Sequence, residues 1–315
     1  MSYLLILLPK LTGFMILIAL GFTVSKLGII KEEGLPTLSG FLIKVVLPIL
    51  TISIMDQRGT TFMDLFSYRK MVLCQIGAYL ILAAVGILVS RAMKLTFPIR
   101  NLHQGCMVGG NYAFFCIPLI MALFTADDGQ QYIPICSAVD TIVVWTLAVS
   151  LFTHGSLKEG DSRIKDLLSK LLHPIMIAIL GMLFINSLHV QIPTFILDVC
   201  DGIGDISYSL GLIYVGANIC YMKKGSKELI RPVGMIVLMK LLIVPFVVYL
   251  IASRFMPQTE SIILMIITGA PTMTTSTMIA QQYGMDGDYC ATAVFITTIC
   301  CLFTIPILFV LISFI

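Results

Sequence analysis

Ten times along this chain a run of roughly twenty mostly apolar residues recurs, and that is the length an α-helix needs to cross a hydrocarbon core of about 30 Å. The runs lie near 3–24, 37–55, 71–90, 102–124, 131–153, 173–188, 195–220, 232–252, 261–283 and 289–313, referred to below as spans 1 to 10. With 58% hydrophobic and 12% charged residues and a mean hydropathy of +1.00, the chain carries more apolar surface than a soluble domain could hide. The expectation is an all-α polytopic membrane protein of ten transmembrane helices with the lipid bilayer as its solvent. No connection is long enough for a separate soluble domain. The net charge of +3 is too small to point to nucleic acid. The nine cysteines show no CxxC or Cys/His metal spacing and read as small apolar residues, so no metal or other cofactor is expected. The start, "MSYLLILLPK", lacks a basic leader and a small-residue cleavage site, and reads as the first span.

Orientation follows from where the positive charges fall. The connections after spans 1, 3, 5 and 7 hold thirteen Lys and Arg residues: Lys26, Lys31, Arg91, Lys94, Arg100, Lys158, Arg163, Lys165, Lys170, Lys223, Lys224, Lys227 and Arg231. The opposite side holds four: Arg58, Arg69, Lys70 and Arg254. This bias puts both termini outside and the polar 153–173 connection in the cytosol, in a plasma-membrane protein.

Ten spans with both ends on one side divide into two halves of five, and five is odd, so the halves must have opposite topology. Weak internal matches keep the same order in both halves. "LVSRAMKL" (88–95) ends span 3 and "LIASRFMP" (250–257) ends span 8. "LGIIKEEGLPT" precedes span 2 and "LHVQIPT" span 7; "ADDGQQYIPICSA" precedes span 5 and "GMDGDYCATA" span 10. The expected organisation is a first repeat over 1–153, a linker over 154–172 and a second, inverted repeat over 173–315.

In that scheme span 4 pairs with span 9, and both are interrupted. Span 4 contains "GGNYAFFCIPLI" (109–120), and span 9 contains Gly269-Ala270-Pro271. Asn111 lies about ten residues into its span, about 15 Å deep at 1.5 Å per residue, near the midplane. Broken backbone at that depth is tolerated only where it is buried in protein or lines a wet cavity. Paired Gly/Pro-interrupted spans point to a transporter site at the midplane. Helices that restart there present unpaired amides and a positive dipole end, which favour an anion. The hydroxyls of "PTMTTST" (271–277) add donors. The alternative for Pro118 alone is a plain proline kink.

At these residues the chain resembles the auxin efflux carrier family, which includes plant auxin carriers and bacterial organic-anion carriers. The resemblance rests on Asn111 followed by Ile117-Pro118-Leu119, on "GIGDISYSLGL" (202–212), on "APTMTTSTMIAQQYG" (270–284), on "VVWTLAVSLF" in span 5 and on "FTIPILFVLI" in span 10. It covers nearly the whole chain. It implies two inverted five-helix repeats whose broken helices 4 and 9 cross, with Asn111, Pro118 and Pro271 at the substrate; Cys116 and Ile117 beside Pro118 and the hydroxyls of Thr272, Thr274 and Thr275 complete the candidate binding set. Spans 1, 2, 6 and 7 become a scaffold and homodimer interface. Cys116 stands where a Gly often precedes Ile-Pro. The short 153–173 connection, where plant carriers have a long loop, favours a prokaryotic member and speaks against auxin as the natural substrate.

Charges inside spans are costly and call for a reason. By resemblance Asp140 of span 5 falls at a support site beside the substrate, as a proton-coupling group. The alternatives for it are an ion pair with Lys44 of span 2 or a contact with Gln75 of span 3. Lys240 of span 8 reads as snorkelling or paired. Asp198, Asp201 and Asp205 of span 7 read either as a cation site or as a water-exposed outer end, and His103, His154, His173 and His189 as interfacial. The function implied is secondary transport of a small organic carboxylate, by export or proton-linked exchange in an elevator-type alternating-access cycle. No Walker A pattern supplies ATP, and neither HExxH nor GxSxG suggests an enzyme. The rival readings are a sodium-coupled organic-anion symporter of the bile-acid-transporter type and a non-transporting membrane receptor.

Overall fold

The computed structural model describes residues 2–125, 128–153, 174–221, 229–273, 275–277, 280, 285 and 287–314. Helices occupy every apolar run, and among the described residues there is no strand. Six helical stretches are long and apolar enough to cross a membrane: Glu32–Gln57, Arg69–Ala92, Gln130–Phe152, Thr194–Tyr221, Ile230–Ala252 and Gly287–Ile312. Span 1 is a helix over Ser2–Lys26, and span 6 a shorter one over Pro174–Ser187.

Two spans depart from the continuous helices their hydropathy suggests. Span 4 is Ile99–Val108, a non-helical step at 109–111, a π-turn over Tyr112–Cys116 and then Ile117–Leu123. Span 9 starts as Gln258–Thr268 and stops at Gly269. Prolines mark both interruptions. Pro118 comes just after the π-turn, inside the helical run that starts at Tyr112, and removes one amide from its ladder. Pro271 sits in the extended step, outside any helix.

The helices pack in two groups. In the first, spans 1 and 7 cross so closely that a Cβ on Gly21 would collide with the Ile213 backbone, and one on Gly216 with the Ile18 backbone. The Tyr221 hydroxyl ties the end of span 7 to the carbonyls of Ser25 (3.0 Å) and Ile30 (2.5 Å). Span 2 joins through Ser53, whose hydroxyl donates to Asp201 of span 7. Span 6 joins through Asn186, whose amide donates to the carbonyls of Met55 and Thr60, each at 3.0 Å. The second group is spans 3, 4, 5, 8, 9 and 10. Its ties include Gln104 to Ser90 (2.8 Å), Gln75 to the Cys136 carbonyl (3.0 Å) and His103 to Tyr289 (2.8 Å). With no hydrophobic drive between helices in lipid, such small-residue crossings and interhelical hydrogen bonds of about 0.6–2 kcal/mol each hold the arrangement. The groups meet where Phe114 packs on Tyr214, ring centroids 4.6 Å apart, and where Pro118 sits against Gly211.

Candidate functional site

The two interruptions lie against each other. Gly110 and Thr272 form an antiparallel bridge; the Asn111 amide donates to the Pro271 carbonyl at 2.8 Å, and the Met273 amide donates to the Gly109 carbonyl at 3.1 Å. Each broken segment therefore supplies part of the backbone pairing that the other has lost, which is how non-helical chain survives inside a membrane protein. Gly110 permits the approach, since even a Cβ there would come within 3.3 Å of Ala270.

Span 4 leaves two unlike helix ends at this point. Its first half ends at Val108, where the last carbonyls form the negative end of the dipole. Lys240 covers that end: its Nζ donates to the carbonyls of Cys106 and Gly109, both at 2.8 Å, and the residue is fully buried. Thr272 Oγ1 also reaches the Cys106 carbonyl, at 3.3 Å. The second half restarts at Tyr112, and its geometry leaves the amides of Tyr112, Ala113 and Phe114 without a carbonyl in a preceding turn. Asn111 stands at the cap of this restart, with no side-chain capping bond. It is 4% exposed, and its Nδ2 has no hydrogen-bond partner.

The restart from Gly110 to Phe114 faces a cavity of about 120 Å³, lined on its polar side by Gly110, Asn111, Ser137, Asp140, Thr141 and Thr275. Its apolar wall includes Ile43, Phe114, Ile117, Val144, Ile175 and Met273. The Tyr79 hydroxyl donates to Asp140 Oδ1 at 2.5 Å. The other formal charge acting on Asp140 is Lys240. The site thus has amide donors, a positive dipole end, the hydroxyls of Ser137, Thr141 and Thr275 and one carboxyl group at the cavity, with the Lys240 ammonium held behind its wall on the Gly109 carbonyl. A small concave pocket with an apolar wall and a few convergent polar groups has the make-up of a ligand site.

The residues singled out from the sequence divide accordingly. Asn111, Ile117, Thr275 and Asp140 line the cavity, and Pro271 acts through its carbonyl on Asn111. Cys116 (Sγ to the Ile266 carbonyl, 3.6 Å), Pro118 and Thr272 are buried behind it as packing and bracing groups. Thr274 lies outside the described residues. Gln75 binds the Cys136 carbonyl one helical turn before Asp140, not the carboxyl itself.

Lys44 is a correction. It is exposed and makes no pair with Asp140, because its neighbour Ile43 takes the cavity-facing position and successive helical side chains diverge. His103 is another: it is fully buried against Tyr289, not interfacial. Lys240 neither snorkels nor pairs with a carboxylate but caps a helix end. Asp198 and Asp205 are exposed, and Asp201 is held by Ser53 and by Gln57 (3.3 Å). Among the described residues no group of three His, Cys, Asp or Glu could hold a metal.

Tyr79, Thr297 and Lys240 escaped notice as site residues. Lys240 alone left a signal, a cation in the middle of an apolar run. Four π-turns converge here as well: Leu42–Val46, Tyr112–Cys116, Val144–Ala148 and Met239–Ile243 bring in Ile43, the Asn111 cap, Val144 and Lys240. Such turns recur at functional sites because one extra residue re-aims a helix face. Compared with known proteins, a family model described as a membrane transport protein matches residues 10–309 of the chain. No curated protein matches it.

Proposed function

Because the chain belongs to the membrane transport protein family, that of the auxin efflux carriers, we propose that it is a secondary transporter carrying a small organic carboxylate through the crossing of spans 4 and 9. The observation that carries this reading is the buried, unpartnered Asn111 side-chain amide at a midplane helix start, facing a half-open cavity. An unmet donor at that depth is expensive unless a ligand meets it. A carboxylate does so with one oxygen and places its charge at the positive dipole end.

Asp140 lines the same cavity, and two like charges there repel. A carboxylate therefore enters most readily when Asp140 carries its proton, which links anion movement to proton movement. In the orientation set by the positive charges, both termini lie outside and the cavity points to the cytosol, since Ile175 is the second residue of span 6 at its inner end. An alternating-access cycle then moves spans 3, 4, 5, 8, 9 and 10 against the scaffold of spans 1, 2, 6 and 7, the elevator pattern. The inverted repeat of 1–153 and 173–315, and a homodimer through the scaffold, belong to the same proposal.

The test is flux of a labelled carboxylate panel in proteoliposomes, with and without proton and sodium gradients. Carboxylate flux driven by a proton gradient is the expected result. Flux that follows sodium alone overturns the proton link, and no flux of any acid overturns the transport reading in favour of a receptor. Orientation is tested with Gly160→Cys, which is expected to stay unlabelled by an impermeant thiol reagent added to intact cells. Labelling from outside would invert the topology.

A further inference from the structure

Resting on that carboxylate reading, we propose that Lys240 is the charge-selecting residue of the cavity: its ammonium, clamped on the crossing, makes the pocket prefer an anion over a neutral molecule of the same shape. A helix end can be capped by any neutral donor, and a fully buried ammonium in a membrane helix is a costly way to do it. Both hydrogen bonds of Lys240 go to carbonyls, at Cys106 and Gly109, and no described carboxylate is in salt-bridge contact with it. Its positive charge is therefore not cancelled by direct contact. The charge is also well placed. Gly109 is one peptide from Gly110, which lines the cavity beside Asn111. The titratable groups that bear on the ammonium are Cys106 and Cys116 of span 4 and Asp140 of span 5. When Asp140 is protonated, Lys240 is the one formal charge of this set, and a single bound carboxylate neutralises it. When Asp140 is ionised, the two cancel and the anion has no counter-charge.

The geometry separates this role from simple capping. Lys240→Gln keeps amide donors for the two carbonyls and removes the charge; Lys240→Arg keeps both. A reporter thiol, Ala113→Cys, is placed on the cavity wall in an Asp140→Asn background, so that Lys240 supplies the remaining charge. Detergent-solubilised protein is treated with methanethiosulfonate reagents carrying either a sulfonate or a trimethylammonium group. Modification at residue 113 is read by fragment-ion mass spectrometry. With Lys240 present the sulfonate-to-ammonium rate ratio should exceed that of glutathione at least tenfold. Lys240→Gln should lower the ratio at least tenfold, and Lys240→Arg should hold it within about threefold. A ratio unchanged within twofold in Lys240→Gln overturns the proposal. Should Lys240→Gln fail to fold, a ratio with Lys240 intact at or below that of glutathione overturns it equally. No transported substrate enters this measurement. A null ratio thus removes only the role of Lys240, and absent flux with the ratio intact removes only the transport reading.

Discussion

The two interrupted spans look like equivalents in the sequence, yet they are finished differently. In span 9 the described turn at Thr272 and Met273 is braced: the Thr272 amide donates to Thr297 Oγ1 at 3.0 Å, the Met273 amide to the Gly109 carbonyl, and Thr272 Oγ1 to the Cys106 carbonyl, while the Ser276 hydroxyl further on is buried without a partner. In span 4 the Asn111 main chain is paired but its side-chain amide is not, and the helix that follows begins at the cavity wall. At Thr272 and Met273 the span 9 break braces the crossing, whereas the span 4 break leaves the Asn111 side-chain donor unmet beside the cavity. A pair of breaks at matching positions therefore need not mean a pair of binding sites.

The sharpest way to break this contrast is to remove one function from each side. Asn111→Ala should weaken carboxylate binding ten- to a hundredfold, since a lost bond to a charged partner costs about 1–3 kcal/mol and 1.4 kcal/mol is tenfold. Its thermal unfolding in detergent should be unchanged. A neutral amide analogue should bind poorly to both proteins, and equal binding of acid and amide by the unaltered chain would defeat the anion site. Thr297→Val should do the reverse: it leaves the Thr272 amide unmet, costs about 1 kcal/mol of stability, and keeps the substrate KM within about twofold. A KM rise as large as that of Asn111→Ala would show that the span 9 break binds too. Asp140→Asn should flatten the pH profile of flux with the fold intact, and an unchanged profile would leave Asp140 structural. Tyr79→Phe removes one donor from Asp140 and should shift that profile by less than Asp140→Asn abolishes it; an effect larger than that of Asp140→Asn would make the tyrosine itself the coupling group.

The crossing was readable from the residues because glycine and proline act locally: Gly109-Gly110 and Gly269 end helices, and Pro118 and Pro271 each remove an amide beside the break. The π-turns were not, since a bond from i to i+5 needs no particular residue and is settled by what the helix face must meet. Lys44 and Lys240 show the limit well. Each lies a few residues before a proline, Pro48 and Pro245, inside an apolar run. One faces outward, and the other reaches across to carbonyls that are 134 and 131 positions away in the chain. No local pattern carries that difference. It depends on which helix ends arrive beside which lysine.

The bridge between Gly110 and Thr272 has a mechanical consequence. Pulling the two breaks apart would expose the amide–carbonyl pairs of Asn111 with Pro271 and of Met273 with Gly109, at a cost of about several kcal/mol for each group left unmet away from water. The joint is stiff compared with the seam where Phe114 rides on Tyr214 and Pro118 on Gly211, which is held by apolar contact and the weak Ser207 hydroxyl bond to the Met121 sulfur at 3.3 Å. Beside a welded joint, such a seam would act as a bearing in the proposed cycle. In the proposed alternating-access cycle the cradle would travel as one piece past the scaffold, and the passenger need never be let go midway.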